Sequence, residues 1–303
     1  MRAGHVSCQF GRAGPPASLS SGVSRQVQAV GSVSRDNIMA RYIIRGGIEG
    51  KKRLEVLARV MRPTTTRLLQ DAGLASGMTC LDLGCGGGDV TLQLATSVGS
   101  QGQVIGMDMD EIKLDLARQT ATRDGLGNVR FHRVNVQDWM EESQYDCIYS
   151  RFLLTHLADP LHLLRQMLRA IRPGGVAVVE DIDFGGYFCH PQCAGFEAYV
   201  RFYRAAARRQ GADADIGPKL YGMLLEAGWR DVKFNVVQPT FASGEGKQIA
   251  LLTLINIADS LLDEKLASEP ELQSAIDDLT RFTDDTSTLV SLPRVFQFWA
   301  RRD

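Results

Sequence analysis

The chain has 303 residues, a formal net charge of -1, 44% hydrophobic residues and 23% charged ones. That is ordinary for a globular protein, and long enough for one elaborated domain or two small ones around a sizeable core. The charge balance excludes a molecule steered as a whole toward nucleic acid or an anionic membrane, and no stretch reads as a membrane span of about 18 apolar residues.

The first 35 residues stand apart: they hold Arg2, Arg12, Arg25 and Arg35 but no acid, and no hydrophobic periodicity. An organellar transit peptide, a disordered tail and a mis-assigned start before Met39 ("MARYIIRGG") all fit this composition. Residues 1–38 are therefore set aside as an N-terminal extension. The absence of an apolar h-region argues against a secretory signal. The six cysteines are scattered, and two fall in strand-like segments. They read as reduced thiols in a cytoplasmic protein.

From Arg53 to Ala72 the apolar residues recur at helical spacing, with Pro63 dividing the run into two helices or one kinked helix. "MTCLDL" is a strand running into glycine, and "VTLQLATSV" (90–98) is a helix. Next come the strand "GQVIGMDMD", the amphipathic helix "EIKLDLARQTATRDG", and the strands "NVRFHRVNV" and "YDCIYSRF". "PLHLLRQMLRAIRPGG" is a helix with a Pro-Gly stop, and "VAVVEDI" is a fifth, almost wholly apolar strand. Strand and helix alternate five times, which predicts a doubly wound, mostly parallel α/β sheet. Ligands of such sheets bind beyond the carboxyl ends of the strands, at the switch point in strand order. Past Ile182 the rhythm changes. Helices are expected over 196–210, 219–229, 246–266 and 271–282, then a closing strand "RVFQFWARR".

"LDLGCGGGDV" (81–90) concentrates glycine between a strand and a helix. The dinucleotide fingerprint G-x-G-x-x-G fails in both registers, since Asp89 or Thr91 takes the third glycine's place. A phosphate loop would end in Gly-Lys-Ser/Thr, and no lysine is near. Asp82 and Asp89 flank the glycines, so a pyrophosphate would face two carboxylates, whereas a cationic ligand end would suit them.

"LDLGCGGG", an acid ending the second strand, "VNVQD", "YDCIYSRFLLTHL" and "LRAIRPGGVAVVEDI", in that order, resemble class I S-adenosylmethionine-dependent methyltransferases, most closely the bacterial small-molecule type. The resemblance covers about Tyr42 to Asp183. It implies a seven-stranded Rossmann-like sheet with an N-terminal helical lid (39–77), a cofactor-binding core (78–183), and cap helices with closing strands (184–303). It also implies S-adenosyl-L-methionine as cofactor. In that reading Gly84, Cys85, Gly86 and Gly88 form the turn against the methionine part, and Asp82 serves its ammonium group. Asp108, about 20 residues on, accepts from the ribose hydroxyls. Met109 packs on the adenine, and Asn135, where the family usually has Asp, accepts from its amino group. Val136 gives a backbone N–H to the ring, Ser150 and Arg151 supply backbone contacts near the methyl, and Tyr42, with Arg45 nearby, fits the lid tyrosine.

The catalytic candidates are His156, Asp181 and Asp183, as general base or substrate ligand. Against them stand a structural histidine and strand-end acids serving as caps. Tyr187, Phe188, Phe196 and Tyr199 line a substrate pocket or pack a helix, and Arg208 and Arg209 read as a solvated helix end. "CHPQC" (189–193) lacks a fourth ligand, so no metal is expected. The expected function is methyl transfer to a small-molecule acceptor by in-line displacement, in a monomer or homodimer, without nucleic acid or membrane as partner. Alternatives are a nucleic-acid or protein methyltransferase of the same fold, or a cofactor-binding protein without turnover. An oxidoreductase is disfavoured by the glycine spacing.

Overall fold

The computed structural model describes residues 47–303; the extension at 1–38, Tyr42 and Arg45 lie outside the described residues. The chain runs α1 (Gly47–Asp71), β1 (Thr79–Leu83), α2 (Asp89–Val98), β2 (Gln103–Asp108), α3 (Glu111–Arg123), β3 (Val129–Arg133), β4 (Tyr145–Arg151), α4 (Pro160–Ala170) and β5 (Ile171–Asp183). Beyond β5 come β6 (Cys189–His190), α5 (Ala194–Arg209), α6 (Leu220–Ala227), β7 (Lys233–Val237), β8 (Thr240–Phe241), α7 (Ile249–Asp263), α8 (Glu269–Asp284), β9 (Leu289–Ser291) and β10 (Arg294–Arg301).

Seven strands form one sheet in the order β3-β2-β1-β4-β5-β10-β7. The first five are parallel, and β10 runs antiparallel to both β5 and β7. Parallel strands are buried on both faces, and alternate side chains sort into two layers. Cys80, Cys147, Tyr149, Val176 and Val178 pack with Val90 and Leu94 of α2 and Leu114 of α3. Leu81, Ile148, Ala177 and Val179 pack with Leu163 and Met167 of α4 and Leu220 and Leu224 of α6. Trp229 is fully buried in that second layer, with its indole N–H donating to the Leu164 carbonyl at 3.1 Å.

A third cluster belongs to the cap. Helices α5, α7 and α8 bury Phe196, Tyr199, Tyr203, Leu254, Leu261 and Leu279 against Val56, Leu57 and Met61 of α1. The short sheet β6-β9-β8 joins them. The capping box of Ser268 and Glu271 starts α8 two residues before the acidic pattern begins.

Pro63 does not divide the first helix. One helix continues through it over 25 residues. A proline removes one backbone N–H from the ladder. The carbonyl left without its ladder partner is that of Arg59; the hydroxyls of Thr64 and Thr66 add bonds to the carbonyls of Met61 and Arg62 at 2.9 and 2.7 Å. The third strand ends at Arg133, so Asn135 and Val136 lie in the loop after it. Asn135 closes that loop: its Oδ1 accepts from the Gln137 N–H and its amide donates to Asp138, an Asx-type turn that competes with the strand ladder.

Glu180, with no exposed surface, lies in the interior of the sheet. It accepts from Tyr149 of β4 at 2.5 Å, Thr65 of α1 at 2.8 Å and Gln297 of β10 at 2.7 Å. Glu180→Ala leaves three buried donors without an acceptor and is expected to cost about 3–5 kcal/mol; Glu180→Gln, which keeps an acceptor oxygen, is expected to cost less than half as much. Urea unfolding midpoints of the two variants check this.

Candidate active site

Strand order reverses beside β1, which has β2 on one side and β4 on the other. A cavity of about 980 Å³ opens at the carboxyl ends of these strands, lined by the glycine turn, α1, the segment after β4 and the aromatic side of the cap. Its position is the one the switch-point rule requires.

The turn after β1 is held from both sides. The Cys85 N–H donates to the Met107 carbonyl at 2.9 Å, and the Gly88 N–H to the Cys85 carbonyl at 2.9 Å. Gly86 and Gly88 have φ of +53° and +81°, a region that side chains with a Cβ rarely adopt. At Gly88 a Cβ would also strike Ala117 and Phe131. Asp108, at the end of β2, accepts from the Gly86 N–H at 2.9 Å through one oxygen and from the Asp110 N–H at 2.9 Å through the other. A carboxylate has about four acceptor positions. Two remain on Asp108, facing the cavity it lines.

Asp82 is buried and accepts from the Thr91 hydroxyl at 2.6 Å. Burial pushes its carboxyl up to about 7, with Asp89 and Asp108 adding to the effect and Thr91 and Arg151 opposing it. Asp89, at the first turn of α2, pairs with Arg151 at 2.5 Å. Arg151 is the last residue of β4, its side chain 9% exposed against 36% for Asp89. Ser150 is fully buried in the same strand.

The chain turns sharply after Arg151. Phe152 adopts φ +55°, a strained conformation for a non-glycine residue, and its N–H donates to the Glu180 carbonyl at 2.9 Å. A single turn, Leu154–His156, follows and brings His156 to the cavity wall. Burial pulls the imidazole down to about 4, and the positive charges of Arg53 and Lys113 add to this. It is neutral near pH 7.

Asp181 and Asp183, predicted beside His156 as catalytic candidates, do not line the cavity. Asp181 has no exposed surface and accepts from the backbone N–H groups of Thr155 at 3.1 Å and Ile182 at 2.8 Å. Burial pushes its carboxyl up to about 7. It holds the turn that carries His156. Asp183 pairs with Arg294 at 2.5 Å and accepts from the Gly185 N–H. Met109 and Asn135 sit in the loops after β2 and β3. Val136 is buried in the second core layer.

The opposite wall comes from the cap. Phe184 stacks on Tyr203 with centroids 4.2 Å apart and planes 4° apart. Tyr187 meets Phe184 edge-on at 5.3 Å and Tyr199 at 5.8 Å. Phe184, Tyr187, Tyr199 and Tyr203 face the cavity, whereas Phe196 is packed behind them and Phe188 is 42% exposed. Cys189 lies on β6 and Cys193 at the start of α5. Among the described residues no three His, Cys, Asp or Glu side chains are grouped to hold a metal ion.

Arg53, Lys113, Phe184 and Tyr203 also line the cavity, and composition gave no sign of them. Arg53 and Lys113 lie on helices whose charged residues look like an ordinary solvated face. Tyr203, four residues after Tyr199 on α5, follows from helical spacing alone once Tyr199 is suspected.

The strand order, the glycine turn and the acid ending β2 together define a class: S-adenosylmethionine-dependent methyltransferases of Rossmann-like fold. The chain belongs to the family described as "Methyltransferase domain", which matches residues 74–227, just over half of it. Over 113 residues the chain is 34% identical to demethylmenaquinone methyltransferase of Staphylococcus aureus, covering 37% of this chain and 46% of that one. It thus spans less than half the length of that relative. Over 183 residues it is 28% identical to the ubiquinone/menaquinone biosynthesis C-methyltransferase UbiE of Yersinia pestis, covering 54% of this chain and 71% of that one. The structure of phosphoethanolamine N-methyltransferase 2 of Haemonchus contortus, with phosphomonomethylethanolamine and S-adenosylhomocysteine, resembles it with a TM-score of 0.52 at 15% identity, over 82% of this chain and 57% of that one. At that identity the likeness is one of fold.

The residues present fit S-adenosyl-L-methionine as the cofactor. A Cβ placed at Gly86 or Gly87 would meet no protein atom within 4 Å and would enter the space beside the turn. That space is bordered by acceptors (Asp82, Asp89, Asp108), which suit hydroxyls and an ammonium group rather than phosphate.

The raised carboxyl of Asp82 has a measurable consequence. A buried acid titrating near 7 takes up a proton on folding between its unfolded value of about 4 and that folded value. Its contribution to stability is full below about pH 4 and is lost as pH rises through 7. Relative to Asp82→Asn, the wild-type protein without cofactor is expected to lose on the order of a few kcal/mol between pH 4 and 8. Parallel denaturation curves at those two pH values measure the difference.

Proposed function

We propose that the chain transfers the methyl group of S-adenosylmethionine to a small-molecule acceptor held between the glycine turn and the aromatic wall of the cap. The observation that carries this reading is the continuity of the cavity. One space is bounded by Asp82, Gly86 and Asp108 at one end and by Tyr187, Tyr199 and Tyr203 at the other. The relatives named for menaquinone and ubiquinone biosynthesis support a small-molecule acceptor. Those named as carbon methylators make an electron-rich carbon the first acceptor atom to test.

In this reading Asp108 takes the ribose hydroxyls with its two remaining acceptor positions. Gly86 and Gly87 let the backbone approach the amino-acid end of the cofactor, while Gly84 and Gly88 pack the turn against Leu153, Ala117 and Phe131 and Cys85 is buried beside it. Asp82 and Asp89 face its ammonium, and Arg151 faces its carboxylate. Ile112 offers apolar surface to the adenine. Met109, Asn135 and Val136 stand in the loops after β2 and β3 without lining the cavity, so their assignment to the adenine rests on the family resemblance. Ser150 contributes backbone at the end of β4, and Tyr42 is assigned to the lid. The cofactor supplies a methyl group already activated on a sulfonium, so the protein's task is placement and exclusion of water. Helix α1 roofs the cavity. Arg59 is paired with Glu245 at 2.7 Å and Arg53 bonded to Thr253 at 2.7 Å, both on the cap side. Neutral His156, held low by burial and by the charges of Arg53 and Lys113, serves the acceptor as a hydrogen-bonding ligand rather than as a strong base. Asp181 fixes the His156 turn from beneath, and Asp183 anchors the end of β5 to Arg294. Free cysteines throughout the described residues support a reducing, cytoplasmic setting.

Titration calorimetry with S-adenosylhomocysteine tests the cofactor half of this reading. Asp108→Ala is expected to weaken binding by about 10- to 100-fold, because two charge-assisted hydrogen bonds are lost. Unchanged affinity removes the ribose site from Asp108. Isotope-labelled methyl transfer to a panel of small acceptors tests the other half; binding without transfer to any of them favours a cofactor-binding protein without turnover.

A further inference from the structure

The end of the cavity away from the glycine turn is charged as well as aromatic. Arg53 of α1 lines it, half-buried, and its Nε donates to the Thr253 Oγ1 of α7 at 2.7 Å. Thr253 is fully buried. The guanidinium is thereby fixed where the roof helix meets the cap. Four other cavity-lining groups feel its positive charge: His156, Tyr187, Tyr199 and Tyr203. They come from the turn after β4, the turn after β5 and α5, and line the same cavity as Arg53.

The acids along the cavity are distributed unevenly. Asp82, Asp89 and Asp108 border the glycine turn, Asp124 lies at the end of α3, and Glu55 is exposed on α1. The cap contributes none to the lining. The aromatic end therefore combines a fixed cation with three tyrosine hydroxyls. Burial raises all three tyrosines, Tyr199 to about 12, so each keeps its proton; Tyr187 and Tyr199 bond each other, and Tyr203 is the hydroxyl without such a side-chain bond among the described residues. His156 is neutral there and adds no competing charge. A planar guanidinium beside phenol hydroxyls, backed by the stacked pair Phe184 and Tyr203, is a receptor for a flat ring that carries an anionic oxygen. A neutral hydrocarbon would leave Arg53 desolvated with nothing gained, and a cationic acceptor would be repelled.

Resting on the methyltransferase reading, we propose that the methyl acceptor is a small aromatic anion, its ring packed against Tyr187, Tyr199 and Tyr203 and its carboxylate or phenolate oxygen bound by Arg53. Arg53 is a binding residue in this assignment. It anchors the acceptor so that another atom of the ring system is presented to the methyl group.

The test uses the full chain loaded with S-adenosylhomocysteine for binding, or with S-adenosylmethionine for turnover. The probes are salicylate, 4-hydroxybenzoate and anthranilate, each beside its neutral carboxamide. The wild-type protein is expected to bind at least one anion ten-fold or more tighter than its amide. Arg53→Met is expected to abolish that preference, raising KM for the anion ten-fold or more with kcat within three-fold, and to leave S-adenosylhomocysteine affinity unchanged. Arg53→Lys restores part of the preference. Thr253→Val, which removes the fixing hydrogen bond without touching the charge, gives a smaller loss in the same direction; melting curves of all three variants confirm folding. The proposal is overturned if no anion binds the loaded protein, if anions and amides bind equally, or if Arg53→Met weakens S-adenosylhomocysteine binding, which would assign Arg53 to the cofactor's own carboxylate. Failure of the wild-type protein to bind S-adenosylhomocysteine at all is a different result: it sinks the methyltransferase reading itself.

Discussion

A single buried carboxylate holds the roof, the sheet and the cofactor end together. Glu180 sits in β5 with no exposed surface and receives hydrogen bonds from α1, β4 and β10. A carboxyl group in that position is tolerated because three donors from three elements reach it. The same Thr65 hydroxyl that donates to Glu180 lies 3.4 Å from Arg151, whose other nitrogen holds Asp89. The line Gln297–Glu180–Thr65–Arg151–Asp89 therefore runs from the antiparallel strand β10 to the first turn of α2. Five elements far apart in sequence are tied together by these polar contacts.

The fold was legible because the strands β1, β2, β4 and β5 carry short apolar runs ended by glycine, an acid or arginine, while the edge strand β3 shows the alternation of a half-exposed strand. Such runs specify buried strands whatever their neighbours are. The glycine turn was legible as chemistry because its spacing fails the dinucleotide pattern and its flanking acids disfavour phosphate. Asp108 followed from distance along the chain, and it does sit at the end of β2 beside the turn. What the sequence could not reveal was orientation at strand ends. Asp181 and His156 both lie where a doubly wound sheet does its chemistry, yet one points its carboxylate at backbone N–H groups and the other lines the cavity. The difference arises from the bend at Phe152, whose positive φ has no signature in a phenylalanine.

The cap was the least legible region. Its helices were visible by spacing, but the partition of Tyr187, Tyr199, Tyr203 and Phe196 between cavity and core depends on how α5 rests against α7 and α8. Helical periodicity fixes which residues share a stripe. It does not fix which side of a broad apolar stripe stays open to ligand. Arg53 shows the complementary difficulty: one arginine in a helix that also carries Arg59, Arg62 and Arg67 is indistinguishable from a solvated one until its hydrogen bond to Thr253 is seen.

Helix α1 has its two halves fastened to different things. Before Pro63, Arg53 and Arg59 reach the cap; after it, Thr65 reaches the sheet. Proline leaves the joint between these halves one ladder hydrogen bond short, so it is the softest point of an otherwise regular rod. The roof over the cavity is thus one continuous helix whose first half answers to the cap and whose second half answers to the sheet.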